Sequence, residues 1–145
     1  MKAMVTGGLG FIGSNLVDRL IRLGYKVLVV DDLSSGKTEF VNGKAEYVYE
    51  DFKSFLACPD KSIDVVFHLA AEARIQPSFE MPLYTCENNS YGSAIVAEFA
   101  RRSDAKVVYA GSSSFYGGVY LNPYAFAKWQ GEEVFKMYSA VYNTS

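Results

Sequence analysis

Short apolar runs alternate with longer amphipathic stretches along the whole chain. Residues 2–5, 25–30, 45–49, 63–69 and 106–110 are brief and rich in β-branched or aromatic side chains. Each reads as a strand, and the most apolar of them as strands buried on both faces. Between the first two, residues 14–23 carry apolar positions at 16, 17, 20, 21 and 23, a helical stripe that Gly24 stops. Residues 52–58 read as a short helix ended by Pro59, and Pro77 and Pro82 bracket a loop. A long helix follows over 84–102, with Ile95, Val96, Phe99 and Ala100 facing inward. A last one covers 124–142, with Val134, Phe135, Tyr138, Val141 and Tyr142 on one side. Strands alternating with helices predict an α/β fold, a doubly wound parallel sheet of about five strands. Ligands of such sheets sit beyond the carboxyl ends of the strands.

Composition narrows the class. The chain has 145 residues, enough for one domain with a real core, and half of them are hydrophobic. That level excludes disorder, and a net charge of −2 gives no electrostatic case for nucleic acid or an anionic membrane. No run approaches membrane-spanning length, and the start reads as a strand and glycines rather than a signal peptide. Cys58 and Cys86 lack metal-ligand spacing and read as reduced thiols of a cytoplasmic protein, with no metal site.

Chemistry enters at the first turn. Thr6-Gly7-Gly8-Leu9-Gly10-Phe11-Ile12-Gly13 joins the first strand to the first helix, and the second strand ends at Asp31-Asp32. Strand, glycine turn, helix, strand and acid form a dinucleotide-binding fingerprint of Rossmann-like type. Backbone without Cβ lets a pyrophosphate approach the helix N-terminus, where unpaired N–H groups favour anions. An acid at position 31 can accept hydrogen bonds from ribose hydroxyls and would repel a 2′-phosphate. No Arg or Lys follows before Lys37, so NAD is expected rather than NADP. A tight turn with no ligand is the plain alternative.

A second constellation lies near the end. Tyr124 and Lys128 stand at i and i+4, about 6 Å apart on one helical face. A nearby ammonium stabilises the phenolate that a tyrosine general base must become. Ser112, just past the fifth strand, can supply a third polar contact to a reacting oxygen. His68, the single histidine, sits inside an apolar strand and reads as structural, and Trp129 reads as packing.

These motifs together resemble the extended short-chain dehydrogenase/reductase family, and within it nucleotide-sugar epimerases of the UDP-galactose 4-epimerase kind. The resemblance rests on the glycine turn, Asp31-Asp32-Leu33-Ser34, Phe67-His68-Leu69-Ala70-Ala71, Asn89-Ser90-Tyr91-Gly92, Ser112 through Gly117, and Pro123-Tyr124 through Lys128. It implies that Gly7, Gly10, Phe11, Ile12 and Gly13 surround the pyrophosphate, with Asp31, Asp32 and Ser34 at the adenosine ribose. It implies Asp51 and Phe52 at the adenine edge, and Leu69, Ala70 and Ala71 beside the cofactor. Asn89 matches a residue that braces the sheet there. Tyr124, Lys128 and Ser112 match the catalytic set, Lys128 also binding the nicotinamide ribose. The activity this resemblance implies is NAD-dependent 4-epimerisation of a nucleotide-sugar, with a UDP-sugar as the expected substrate.

Two departures from that pattern stand out. The connection from Ser112 to Tyr124 is shorter than usual, and the chain ends where the family begins its sixth strand. The expectation is a cofactor domain over residues 1–145 without the substrate-binding region, as a fragment or a minimal form. A non-catalytic NAD-binding module is the alternative. A 4,6-dehydratase is disfavoured because Ser113 and Ser114 stand where it carries an acidic pair, and an NADPH reductase is disfavoured by Asp31. The fifth strand, as an open edge, and the two long helices predict a homo-oligomer.

Overall fold

The computed structural model describes residues 1–145 and has five parallel strands in one sheet, ordered β3-β2-β1-β4-β5. They are β1 (Lys2–Thr6), β2 (Lys26–Val30), β3 (Glu46–Val48), β4 (Val65–His68) and β5 (Lys106–Tyr109). The helices are α1 (Phe11–Arg22), α2 (Phe52–Phe55), α3 (Ile75–Glu80), α4 (Pro82–Cys86), α5 (Gly92–Ser103) and α6 (Pro123–Tyr142). This is the doubly wound, Rossmann-like sheet that the hydrophobic pattern predicts. No helix is long and apolar enough to cross a membrane.

Period-two alternation along the central strands builds two cores. Ala3, Val5, Val27 and Val29 face α1 and meet Leu9, Val17 and Leu20. Met4, Leu28, Val30 and Val66 face the other way, onto Phe52, Leu56, Val96, Phe99 and Ala100. Val29 and Val66 are fully buried, and each such side chain contributes roughly 1.5–3 kcal/mol.

Three expectations change. Residues 77–80 and 82 are helical rather than a loop, with Met81 as the break, because both prolines occupy first-turn positions where no N–H is needed. The long helix therefore begins at Pro82 and contains a π-helical turn, Glu87–Tyr91, between α4 and α5. At the end of α6, Val141 and Tyr142 are mostly exposed, and the buried positions are Ala125, Ala127, Lys128 and Gly131. The outer edge of β5 is met by the chain itself, since the Val107 N–H donates to the Ser145 carbonyl at 2.9 Å.

Candidate active site

Because every strand runs the same way, the ends of β1, β2, β3, β4 and β5 deliver their following loops to one edge of the sheet. All the candidate residues outside the helices belong to those loops.

After β1, the chain turns through Gly7 at φ +71°, with its N–H bonded to the Val30 carbonyl and its carbonyl bonded by the Gly10 N–H. Gly7 backs directly onto Ala70, leaving no room for a Cβ. Gly10 caps α1 in an extended conformation with no side-chain cap, and a Cβ on Gly13 would overlap the Gly7 carbonyl oxygen. The N–H groups of Phe11, Ile12 and Gly13 have no acceptor in the chain, while Phe11 and Ile12 expose their side chains. Three free donors at the positive end of a twelve-residue helix form an anion seat.

Asp31 closes that turn. It is buried, and its carboxylate accepts the Leu9 N–H and the Leu33 N–H, each at 2.9 Å. The acid expected to face a ribose therefore also ties the glycine turn to the end of β2, a role the fingerprint does not announce. Two bonds leave a carboxylate with further lone pairs. Asp32 is exposed and accepts both the N–H and the hydroxyl of Ser34.

Asp51 caps α2 by accepting the Lys53 N–H, and Phe52 is buried below it. Lys53 was not read from the sequence, yet its largely buried ammonium meets Asp51 at 3.0 Å, Asn88 at 2.5 Å and Glu87 at 3.6 Å. Leu69, Ala70 and Ala71 follow β4 as partly buried residues, with the Leu69 N–H on the Thr6 carbonyl. Asn89, fully buried, accepts the Glu72 N–H and donates to the Glu72 carbonyl, at 2.8 and 2.9 Å. Ser90 donates to Gln130 of α6 at 2.8 Å. Three consecutive residues of the π-helical turn thus hold three segments: Asn88 the Asp51 loop, Asn89 the loop after β4, and Ser90 the last helix. Turns of this kind cluster at functional sites.

On α6, Asn122 caps the start, Tyr124 is half-buried, and its N–H donates to the Ser78 hydroxyl. Lys128, one turn on, is only 5% exposed and its ammonium donates no hydrogen bond within the chain. Burial pushes its pKa down to about 8. Ser112 is half-buried at the head of the Ser113–Gly117 turn, where its hydroxyl accepts the Ser114 N–H at 3.2 Å. The arrangement combines an anion seat, a buried acid, a helical phenol and a cation without a hydrogen-bond acceptor in the chain.

Sheet, glycine turn and strand-end loops define a Rossmann-like α/β protein. Residues 3–145 match the family described as NAD dependent epimerase/dehydratase. A UDP-glucose 4-epimerase of Mycolicibacterium smegmatis is 34% identical, aligned over 99% of this chain and 53% of its own length. The crystal structure of UDP-glucose 4-epimerase from Thermotoga maritima with UDP-glucose superposes with a TM-score of 0.91 at 30% identity, over 99% of this chain and 53% of that one. A UDP-glucose 4-epimerase from Brucella ovis in complex with NAD gives 0.87 at 27% identity, over 99% and 49%. This chain belongs to the NAD dependent epimerase/dehydratase family. It spans about half the length of the curated relatives it matches.

Proposed function

We propose that this chain is the cofactor-binding part of an NAD-dependent nucleotide-sugar 4-epimerase of the cytoplasm, acting on a UDP-sugar. The observation that carries the reading is Lys128, a residue only 5% exposed whose ammonium has no acceptor in the chain and keeps just an edge of solvent contact. An ammonium with so little water around it gains from a partner, and ribose hydroxyls would supply one.

The residues fit a dinucleotide. The free N–H groups of Phe11, Ile12 and Gly13 would hold the pyrophosphate, with Gly7 and Gly10 giving it room. Asp31 would take the adenosine ribose hydroxyls, with Asp32 and Ser34 beside it. Asp51 and Phe52 would edge the adenine, and Leu69, Ala70 and Ala71 would line the path to Lys128. NAD, when bound, supplies a site that accepts a hydride from the sugar and gives it back. Tyr124 removes and returns the proton of the sugar 4-hydroxyl, helped by the positive charge at Lys128. Ser112 orients the same oxygen through a hydrogen bond. Asn89 fixes the loop after β4 through both polar atoms of its side chain.

Relatives matching along their own first half support the reading, as does the Ser112, Tyr124 and Lys128 set. Self-association through the outer faces of α4, the π-helical turn and α6 belongs to the same proposal, because Tyr84, Tyr91, Met137 and Val141 are exposed there. Calorimetric titration of the 145-residue chain with NAD and NADP tests the cofactor, and tighter binding of NAD is expected. Absent NAD binding, or equal affinity for the two, would overturn it.

A further inference from the structure

Tyr109 is the last residue of β5, three positions before Ser112, in a strand whose other residues are Lys106, Val107 and Val108. Its ring lies beneath the Lys128 ammonium, with Nζ 4.1 Å from the centroid. Its hydroxyl donates to the Lys128 backbone carbonyl at 3.2 Å. One side chain therefore touches this lysine at both its head and its backbone. We propose that Tyr109 is the positioning residue for Lys128, holding the ammonium by its ring face and the helix turn by its hydroxyl. The proposal rests on Lys128 being the lysine that meets the cofactor.

The surroundings hold the ring in place. His68 stacks against it at 5.8 Å between centroids and Phe135 at 4.9 Å. Gly131 makes room for the hydroxyl: a Cβ there would sit 2.6 Å from the Tyr109 oxygen and 2.6 Å from Ser93 Oγ. Burial pushes the Tyr109 phenol up to about 12, against a hydrogen bond to Ser93 that lowers it, so the ring stays neutral. The titratable groups around the pair are His68 on β4 and Tyr124 and Glu132 on α6. None of them forms an ion pair with Lys128. The negative face of a neutral ring is then the ammonium's electrostatic partner in the cofactor-free chain.

A space-filling role and a positioning role make different demands on Tyr109. Nitrogen NMR of labelled lysine side chains, with Lys128 assigned through a Lys128→Arg chain, follows the ammonium titration directly. In Tyr109→Leu the midpoint falls from the wild-type value by roughly one pH unit, because the ring's attraction is lost. In Tyr109→Phe, which keeps the ring, it moves by less than roughly a third of a unit. Phenylalanine analogues with increasing fluorination at position 109 keep the shape and drain the ring face. With them the midpoint falls stepwise, which separates the effect from any misfolding of the leucine variant. An unchanged or raised midpoint in Tyr109→Leu, or no trend with fluorination, overturns the proposal. The titration uses no cofactor, so that failure would leave the NAD assignment standing, and absent NAD binding would leave the Tyr109–Lys128 contact standing.

Discussion

Thr6 and His68 stand opposite each other in register on β1 and β4, and Thr6 Oγ1 lies 2.7 Å from His68 Nδ1 inside the sheet. The same hydroxyl accepts the Ala70 N–H at 3.4 Å, so its proton is free for the imidazole. The single histidine is thus a structural link at the edge of the site.

The burial of His68 makes stability depend on pH. Burial, with the Lys128 charge adding to it, brings the His68 pKa down to about 3 from 6.5. The unfolded chain takes up this proton first as acid is added, so stability is full above the unfolded pKa and is lost as pH falls towards the folded one. Between about pH 7 and pH 5 the loss from this group should be about 2 kcal/mol. Urea unfolding of His68→Gln, which cannot titrate, should show a flatter profile, and parallel profiles would assign the acid sensitivity to other groups.

Asp31→Ala is expected to act before any cofactor is added. It frees the N–H groups of Leu9 and Leu33, which should cost about 1–3 kcal/mol of stability. Urea midpoints of the cofactor-free chains check this. An unchanged midpoint together with weakened NAD binding would make Asp31 a ligand group alone.

Gly13→Ala and Gly43→Ala should differ sharply. A Cβ at Gly13 meets the Gly7 carbonyl and the Gly8 backbone, whereas Gly43 faces open space. The first should destabilise by about 2–3 kcal/mol and the second by less than about 0.5 kcal/mol. Similar losses at both sites would mean that the turn yields to let the methyl in.

Asn89→Ala removes both partners of the Glu72 backbone. A loss of about 2 kcal/mol is expected, with faster amide exchange at Glu72. Protection at Glu72 equal to that of the parent chain would show that another group holds the loop after β4.

If the proposed function holds, Tyr124→Phe in the active enzyme should abolish epimerisation and leave NAD affinity within a few-fold. Under the proposed function the phenol would move a proton, while the cofactor would be held by the glycine turn, Asp31 and Lys128. Turnover like that of the parent would remove Tyr124 from the mechanism.

The strands and the glycine turn were legible because apolar runs and glycine express purely local physics. Pro77 and Pro82 misled, since a proline that breaks a helix interior also suits a first turn, and sequence alone does not separate the two. The stripe ending in Val141 and Tyr142 promised burial that nothing in the fold provides. Lys53, Thr6 and Tyr109 went unread because their roles exist only between segments far apart in sequence. Tyr109 left one trace, an aromatic ring closing a strand of valines.

The π-helical turn at Glu87–Tyr91 carries a consequence for how this chain can change over generations. A residue added to a helix rotates everything beyond it by about 100°, and here Asn89, Val96 and Phe99 already face their partners with the wide turn in place. The wide turn fits one more residue into nearly the rotation of an ordinary turn, so excising one residue there would restore ordinary helical winding with α4 and α5 close to their present facings. What such a loss would take away is one of the side chains that tie Lys53, Glu72 and Gln130 to this turn, so the stretch can shorten only by giving up a tie.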